Sequence, residues 1–193
     1  HAEELKRESV EAQFESLKNQ VNPHFLFNSL NTLTTLIEEN PNMAVRYVNQ
    51  LSQVYRYVLQ SKEKEVTDLK TELEFTGSYI FLLQKRFENN LKIELSISDK
   101  SWSKKIVPLC LQMLIENAIK HNIVSSERPL IIQIEVNEED YIVVKNNLQL
   151  KNFSEQNTGI GLPNIVKRYS YLCDKEVKIE NNNSYFKVSL PLI

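Results

Sequence analysis

Three glycines, two cysteines and three histidines are all that 193 residues hold of those types, and the scarcities narrow the reading. The cysteines, Cys110 and Cys173, stand far apart among apolar residues with no CxxC spacing. That leaves no thiol pair for a metal or redox motif, and both read as reduced thiols of a cytosolic protein. An excess of basic residues is also missing: the formal net charge is -2, which argues against direct nucleic-acid binding. No apolar run approaches the roughly 18 residues a membrane helix needs. The best, "IVPLCLQMLI", is broken by Pro108 and Gln112. There is no signal-peptide pattern, no internal repeat and no low-complexity stretch. What remains is 41% hydrophobic and 25% charged, the balance of a soluble globular protein with one large domain or two small ones. The chain opens abruptly on charged helical sequence, so a missing upstream part is expected.

The first forty residues are helix-forming and free of glycine. Val10, Phe14, Leu17 and Val21 form one apolar seam, and Leu26, Leu30, Leu33 and Ile37 form another, rotated by about 200°. The switch falls at Pro23, where either a kink or a fresh helix start with Asn22 as its cap is expected. Asn40-Pro41 then marks a turn. A second amphipathic helix follows, with Ala44, Tyr47, Val48, Leu51, Val54, Tyr55 and Val58 on one face. A two-helix hairpin cannot bury both seams alone, so a dimer forming a four-helix bundle is the economical solution.

"SKEKEVTDLK" is a charged connector that puts the domain boundary near Val66, dividing the chain into 1–65 and 66–193. Beyond it the patterning predicts a helix over 69–87, a strand in "LKIELSIS" and a helix in "PLCLQMLIENAIKHNI". Strands in "LIIQIEV" and "YIVVKNNL" follow, then a helix in "LPNIVKRYSYLC" and closing strands in "EVKIE" and "YFKVSLPL". Helices and strands alternating without a strict βαβ period suggest a layered α/β domain with a mixed sheet.

Two motifs of the second domain carry chemistry. On the "ENAIKH" helix Leu111, Leu114, Ile115 and Ala118 share a packing face, while Glu116, Asn117, Lys120 and His121 gather on the other side. A carboxylate, a carboxamide, an ammonium and an imidazole on one patch can hold Mg²⁺ and phosphate oxygens. The bland alternative is a solvated face with a Glu116–Lys120 pair. "NTGIGLPN" places Gly159 and Gly161 directly before a helix, where backbone amides can approach an anion. A lone GxG is often only a tight turn, but paired with "ENAIKH" about forty residues upstream it becomes a strong signal.

"NQVNPHFLFNSLN", "ENAIKH" and "GIGLPNIVKR", in this order, resemble the cytoplasmic kinase core of LytS/YehU-type sensor histidine kinases. "LKTELEFTGSYIFLLQKRF" is similar to their linker helix, and the resemblance runs from about Leu17 to the C-terminus. It implies a phosphoacceptor hairpin that forms a four-helix bundle on homodimerisation, followed by a GHKL (Bergerat) α/β sandwich that binds ATP. It also implies His24 as the phosphoacceptor and Glu116 as the residue serving phosphoryl transfer. Asn117 would bind Mg²⁺, and Lys120 and His121 would contact the nucleotide phosphates. Gly159, Gly161 and Leu162 would form the end of the ATP lid. Implied partners are a second copy of the chain and a response regulator whose aspartate receives the phosphoryl group, a LytR-type DNA-binding protein being one candidate. The full-length protein would be anchored in the bacterial cell membrane upstream, with this segment in the cytoplasm. An imidazole suits phosphoryl transfer near pH 7 because the unperturbed histidine pKa is about 6.5.

Two departures from the family pattern bear on nucleotide binding. Where the superfamily has Asp-Asn-Gly, this chain has Asn146-Asn147-Leu148, and Asn146 retains an acceptor oxygen for adenine without the charge. The lid from Leu148 to Thr158 is short and contains no glycine. An acid often follows the phosphoacceptor; here Phe25 does. These departures motivate an alternative expectation, a dimerisation and regulator-docking module that has lost ATP turnover. Asn28, one turn beyond His24, could orient a water for dephosphorylation or simply bond within the bundle.

Overall fold

The computed structural model describes residues 22–61, 63–151 and 161–193. The chain forms two compact units, one ending at residue 62 and the other beginning at Glu63, three residues before the boundary expected at Val66.

The first unit is a helical hairpin of α1 (Pro23–Glu39) and α2 (Pro41–Gln60). Both helices begin with Asn-Pro, and both asparagines act as N-caps. Asn22 Oδ1 accepts from Phe25 N at 3.2 Å, and Asn40 Oδ1 accepts from Met43 N at 3.1 Å. Each proline occupies the first turn, where its missing N–H costs nothing and its fixed φ favours the helix. Such caps contribute about 1 kcal/mol each. Pro23 therefore opens a capped helix; the seam from Val10 to Val21 lies outside the described residues.

The buried face of the hairpin differs from the leucine seam. Phe25 and Ser29 are the buried residues of α1, and Ala44, Tyr47, Leu51 and Val54 those of α2. Phe25 packs against Tyr55 with ring centroids 6.3 Å apart. Leu30, Ile37 and Val48, whose burial is expected only in a dimer, are exposed in the single hairpin. A helix in a hairpin turns only one face to its partner, and Leu26 stands about 100° round from Phe25.

The second unit is an α/β layer pair. After β1 (Thr67–Asp68) come α3 (Leu69–Phe87), β2 (Leu91–Ser96), β3 (Lys105–Ile106) and α4 (Cys110–His121). They are followed by β4 (Leu130–Val136), β5 (Tyr141–Asn147), α5 (Gly161–Leu172), β6 (Lys178–Asn181) and β7 (Tyr185–Pro191). The main sheet has the order β2-β4-β5-β7-β6; β2 and β4 are parallel and the other pairs antiparallel. The parallel pair requires a crossover, and α4 lies within it. The small β1–β3 pair is separate and is not visible in the sequence pattern.

Alternation along the strands explains the layering. Leu130, Ile132 and Ile134 of β4, and Ile142 and Val144 of β5, are buried in register with Val188 and Leu190 of β7. Leu111, Leu114, Ile115 and Ala118 of α4 supply the buried face expected for that helix. The opposite sheet face is polar towards its edges, where Gln133 bonds Glu94 across strands at 3.0 Å and Lys187 pairs with Glu180 at 2.8 Å, while Tyr141 and Val143 of β5 are buried on it. A helical hairpin followed by an α/β sandwich with a mixed sheet is the architecture expected from the sequence.

At the C-terminus of α3, Glu88 is exposed and adopts φ 50°, ψ -127°, a conformation that an L side chain adopts only at a cost. Such strain is worth about 1–3 kcal/mol, and glycine offsets part of it through its freer unfolded chain. Glu88→Gly is expected to stabilise this unit by about 1 kcal/mol, measured as a higher midpoint in urea unfolding.

Candidate functional site

His24 is exposed on the first turn of α1, put there by the Asn22 cap and Pro23. Asn28 Nδ2 lies 3.2 Å from His24 Nε2, one helical turn away. The contact keeps one ring nitrogen of His24 beside the Asn28 carboxamide on the exposed side of the helix. Phe25, in the place of an acid, is buried and fixes the start of the helix instead.

In the second unit, α4 carries Glu116 and Asn117, both half-buried, and Lys120 and His121, both exposed. The apolar face of the helix rests on the sheet, which turns these four polar groups away from the core. Gly161 opens α5 directly against Asn117. A Cβ added at Gly161 would stand 3.4 Å from Met113 Cε, 3.7 Å from Asn117 Nδ2 and 3.8 Å from Asn117 Oδ1. The "ENAIKH" and "GIGLPN" motifs thus meet at one place, through Asn117 and Gly161, 44 residues apart in the chain. Leu162 follows on the same helix and is half-buried; Gly159 lies outside the described residues.

Glu116 does not pair with Lys120. Its Oε1 accepts from Tyr79 Oη of α3 at 3.1 Å and from Gln112 Nε2 at 2.9 Å. Burial, with the Glu116 charge beside it, pushes the Tyr79 phenol well above its usual range, so Tyr79 remains a neutral donor. A second link joins the same two helices: the buried Glu72 of α3 accepts from Leu109 N at 3.1 Å, just before α4 begins. Neither Tyr79 nor Gln112 stands out in the sequence as a site residue. A pair 37 residues apart leaves no trace in periodicity.

Asn146 of β5 is buried, and its Nδ2 donates to the Asn147 carbonyl at 2.8 Å. Asn147 has a structural duty. Its Oδ1 accepts from Ile131 N at 2.8 Å and its Nδ2 donates to Pro129 O at 3.2 Å. Gln149 continues the network, donating from Nε2 to the Ile123 and Arg128 carbonyls at 2.6 and 2.8 Å. The buried Asn122 accepts from Gln149 N at 2.8 Å, and Lys151 N donates to His121 O at 3.1 Å. "NNLQL" is therefore a hydrogen-bonded strap that ties the end of β5 to the end of α4.

Burial lowers the pKa of His121 from the ordinary 6.5, and the charges of Lys120 and Lys151 lower it further. Near pH 7 His121 is neutral and able to donate or accept a single hydrogen bond. The unfolded chain takes up this proton more readily than the folded one, so stability falls as pH drops from 6.5 through the folded pKa. A proton NMR titration is expected to place the His121 midpoint below 6.5, with Lys151→Ala moving it upward.

The donor set suits a nucleotide and its metal. The Asn117 carboxamide oxygen suits a hard cation, and Lys120 suits phosphate. Bare backbone at Gly161 leaves the Asn117 amide approachable, and the 12-residue α5 begins there, turning the positive end of its dipole to the site.

A helical hairpin presenting an imidazole, with an α/β unit that suits a nucleotide, is the plan of the histidine kinases. The family model described as histidine kinase matches residues 12–91. Sensor protein LytS of Staphylococcus epidermidis (strain ATCC 35984) is 33% identical over 154 residues, 79% of this chain and 24% of that protein. Sensor histidine kinase/phosphatase LytS of Staphylococcus aureus (strain MRSA252) is 30% identical over 88% of this chain and 32% of that protein. Among solved structures, the cytoplasmic segment of histidine kinase QseC matches with a TM-score of 0.46 and 19% identity, over 79% of this chain and 95% of that one. The chain belongs to the histidine kinase family, in its LytS type. It spans about a quarter to a third of the length of these LytS relatives. Among the described residues no helix is long and apolar enough to cross a membrane.

Proposed function

We propose that the chain is the kinase core of a two-component sensor, an ATP-dependent protein-histidine autokinase. It takes a phosphoryl group on His24 and passes it to an aspartate of a separate response regulator. The observation that carries this reading is the exposed His24 ring on the capped first turn of α1, with Nε2 3.2 Å from the Asn28 carboxamide and open to an incoming phosphoryl group. When bound, ATP would supply the phosphoryl group and Mg²⁺ would offset its charge.

The residues divide the work. Asn117 would hold the metal, Lys120 and the neutral His121 the phosphates, and Asn146 the adenine. Gly159, Gly161 and Leu162 would form the end of the lid, and Glu116 would serve the transfer. Before attack, Asn28 must release Nε2. The new bond would join Nε2 to the γ-phosphorus as the bond to the bridging oxygen breaks and ADP leaves, and the proton on the other ring nitrogen would pass to Glu116 or to solvent. Positioning and electrostatics supply most of the rate in such transfers.

Exposed Leu30, Ile37, Val45 and Val48 support a homodimer in which two hairpins form a four-helix bundle. The proposed receiver is a regulator of the LytR type. The full-length protein is proposed to be anchored in the membrane upstream, with this segment in the cytoplasm, in keeping with the sensor names of the relatives.

Purified chain incubated with radiolabelled ATP and Mg²⁺ is expected to take up label that is stable in alkali and labile in acid. A folded dimer that stays unlabelled would replace this reading with a docking scaffold.

A further inference from the structure

We propose that Tyr79 is a positioning residue for the phosphoryl transfer, holding Glu116 in place from the neighbouring helix. The inference rests on the kinase reading and extends it to a residue outside the nucleotide-binding motifs.

The argument begins with the two oxygens of one carboxylate. Oε1 of Glu116 accepts two hydrogen bonds, from Tyr79 Oη at 3.1 Å and from Gln112 Nε2 at 2.9 Å. Two donors on one oxygen use its acceptor capacity and fix the rotation of the carboxyl group. Oε2 is thereby the oxygen left for the reaction. The two donors differ in rigidity. Gln112 is one turn back on the same helix and has rotatable bonds of its own, whereas Tyr79 is 1% exposed and stacked on Phe75, with centroids 6.3 Å apart. A buried tyrosine pivots about only two side-chain bonds, so its hydroxyl is a fixed reference point.

The anchor is well placed. Tyr79 lies two turns along α3 from Glu72, whose carboxylate accepts from Leu109 N at the start of α4. The same face of α3 therefore grips the chain at Leu109, just before α4, and again at Glu116, next to Asn117. A carboxylate that serves a transfer must be held close to its productive geometry by neighbours that are themselves locked. Tyr79 meets that requirement, and phenylalanine in its place would keep the packing and lose only the hydroxyl.

Tyr79→Phe tests this in three backgrounds: the wild-type chain, Glu116→Gln and Glu116→Ala. At saturating ATP, Tyr79→Phe is expected to slow labelling of His24 about tenfold, the rate equivalent of one hydrogen bond to a charged group. Its KM, and its affinity for a non-hydrolysable ATP analogue with Mg²⁺ in titration calorimetry, should stay within about twofold of wild type, since the bond does not touch the nucleotide. In the Glu116→Gln background Tyr79→Phe should add no further loss, because the two act as a unit. Without nucleotide, Tyr79→Phe should lower the urea midpoint of the wild-type chain but not that of a Glu116→Ala chain.

Losses that multiply in the double variant, or an equal urea shift in both backgrounds, would make Tyr79 merely a core residue and overturn the proposal. So would labelling at the wild-type rate. A wild-type chain that never labels sinks the kinase reading itself, whereas a labelled wild type with an unaffected Tyr79→Phe sinks only the role given to Tyr79.

Discussion

Replacing His24 with glutamine is expected to abolish alkali-stable, acid-labile labelling and to leave the rest of the molecule intact. The side chain is exposed, and its hydrogen bond is to Asn28 on the same helix. The hairpin core of Phe25, Tyr47, Leu51 and Val54 does not involve it. Surface substitutions of this kind stay within about 0.5 kcal/mol, so urea unfolding should be unchanged. Nucleotide affinity should also be unchanged, because Asn117 and Gly161 belong to the other unit. The contrast is the point of the experiment: loss of label alone identifies an acceptor, whereas loss of label with loss of nucleotide binding would indicate a damaged fold. Label that survives on the glutamine variant would place the acceptor at another side chain and overturn the assignment.

The sequence shows the elements of this fold more readily than their faces. The largely alternating "LIIQIEV" and the helical spacing in "LCLQMLIENA" are properties of single segments, and they correspond to β4 and α4. A short pair such as β1–β3 has two residues per strand and no room for a period. Face assignment fails where burial depends on a partner. The leucines of α1 form the more regular apolar stripe, yet Phe25 and Ser29 face α2. A serine in a close-packed helical contact carries no hydrophobic signal, and a stripe left exposed by one hairpin can be covered by another.

The site divides along the same line. Residues on one helix, Glu116 through His121, are legible because helical geometry alone brings them together. The meeting of Asn117 with Gly161 is legible only as a co-occurrence of two motifs. The contact of Tyr79 with Glu116 is not legible at all. "KNNLQL" reads differently in sequence and in space. As a string it departs from an Asp-Asn-Gly pattern and suggests decay. In the fold, Asn147 and Gln149 bond four backbone groups between them, those of Ile131, Pro129, Ile123 and Arg128. Side chains that satisfy these backbone groups have a structural duty independent of any nucleotide. The replacement of glycine by Leu148 is therefore no sign that turnover is lost.

The strongest test of the nucleotide side is Asn117→Ala, which is expected to reduce labelling by at least about a hundredfold, the scale of removing one group that stabilises charge in a transition state. Alanine is the best helix former, and Asn117 is half-buried on the polar side of α4, so the helix should persist. The measurement that isolates the cause is calorimetric titration with a non-hydrolysable ATP analogue, with and without Mg²⁺. If the Asn117 oxygen holds the metal, Mg²⁺ should strengthen binding to the wild-type chain and should do so much less in the variant. Affinities without Mg²⁺ should then be alike in the two. Gly161→Ala probes the same spot from the other side: its Cβ would stand 3.4 Å from Met113 and 3.7 to 3.8 Å from the Asn117 carboxamide, so the fold should persist while nucleotide affinity falls. Equal Mg²⁺ enhancement in wild type and Asn117→Ala would remove the metal from this residue. The carboxamide beside Gly161 would then serve only to pack α4 against α5.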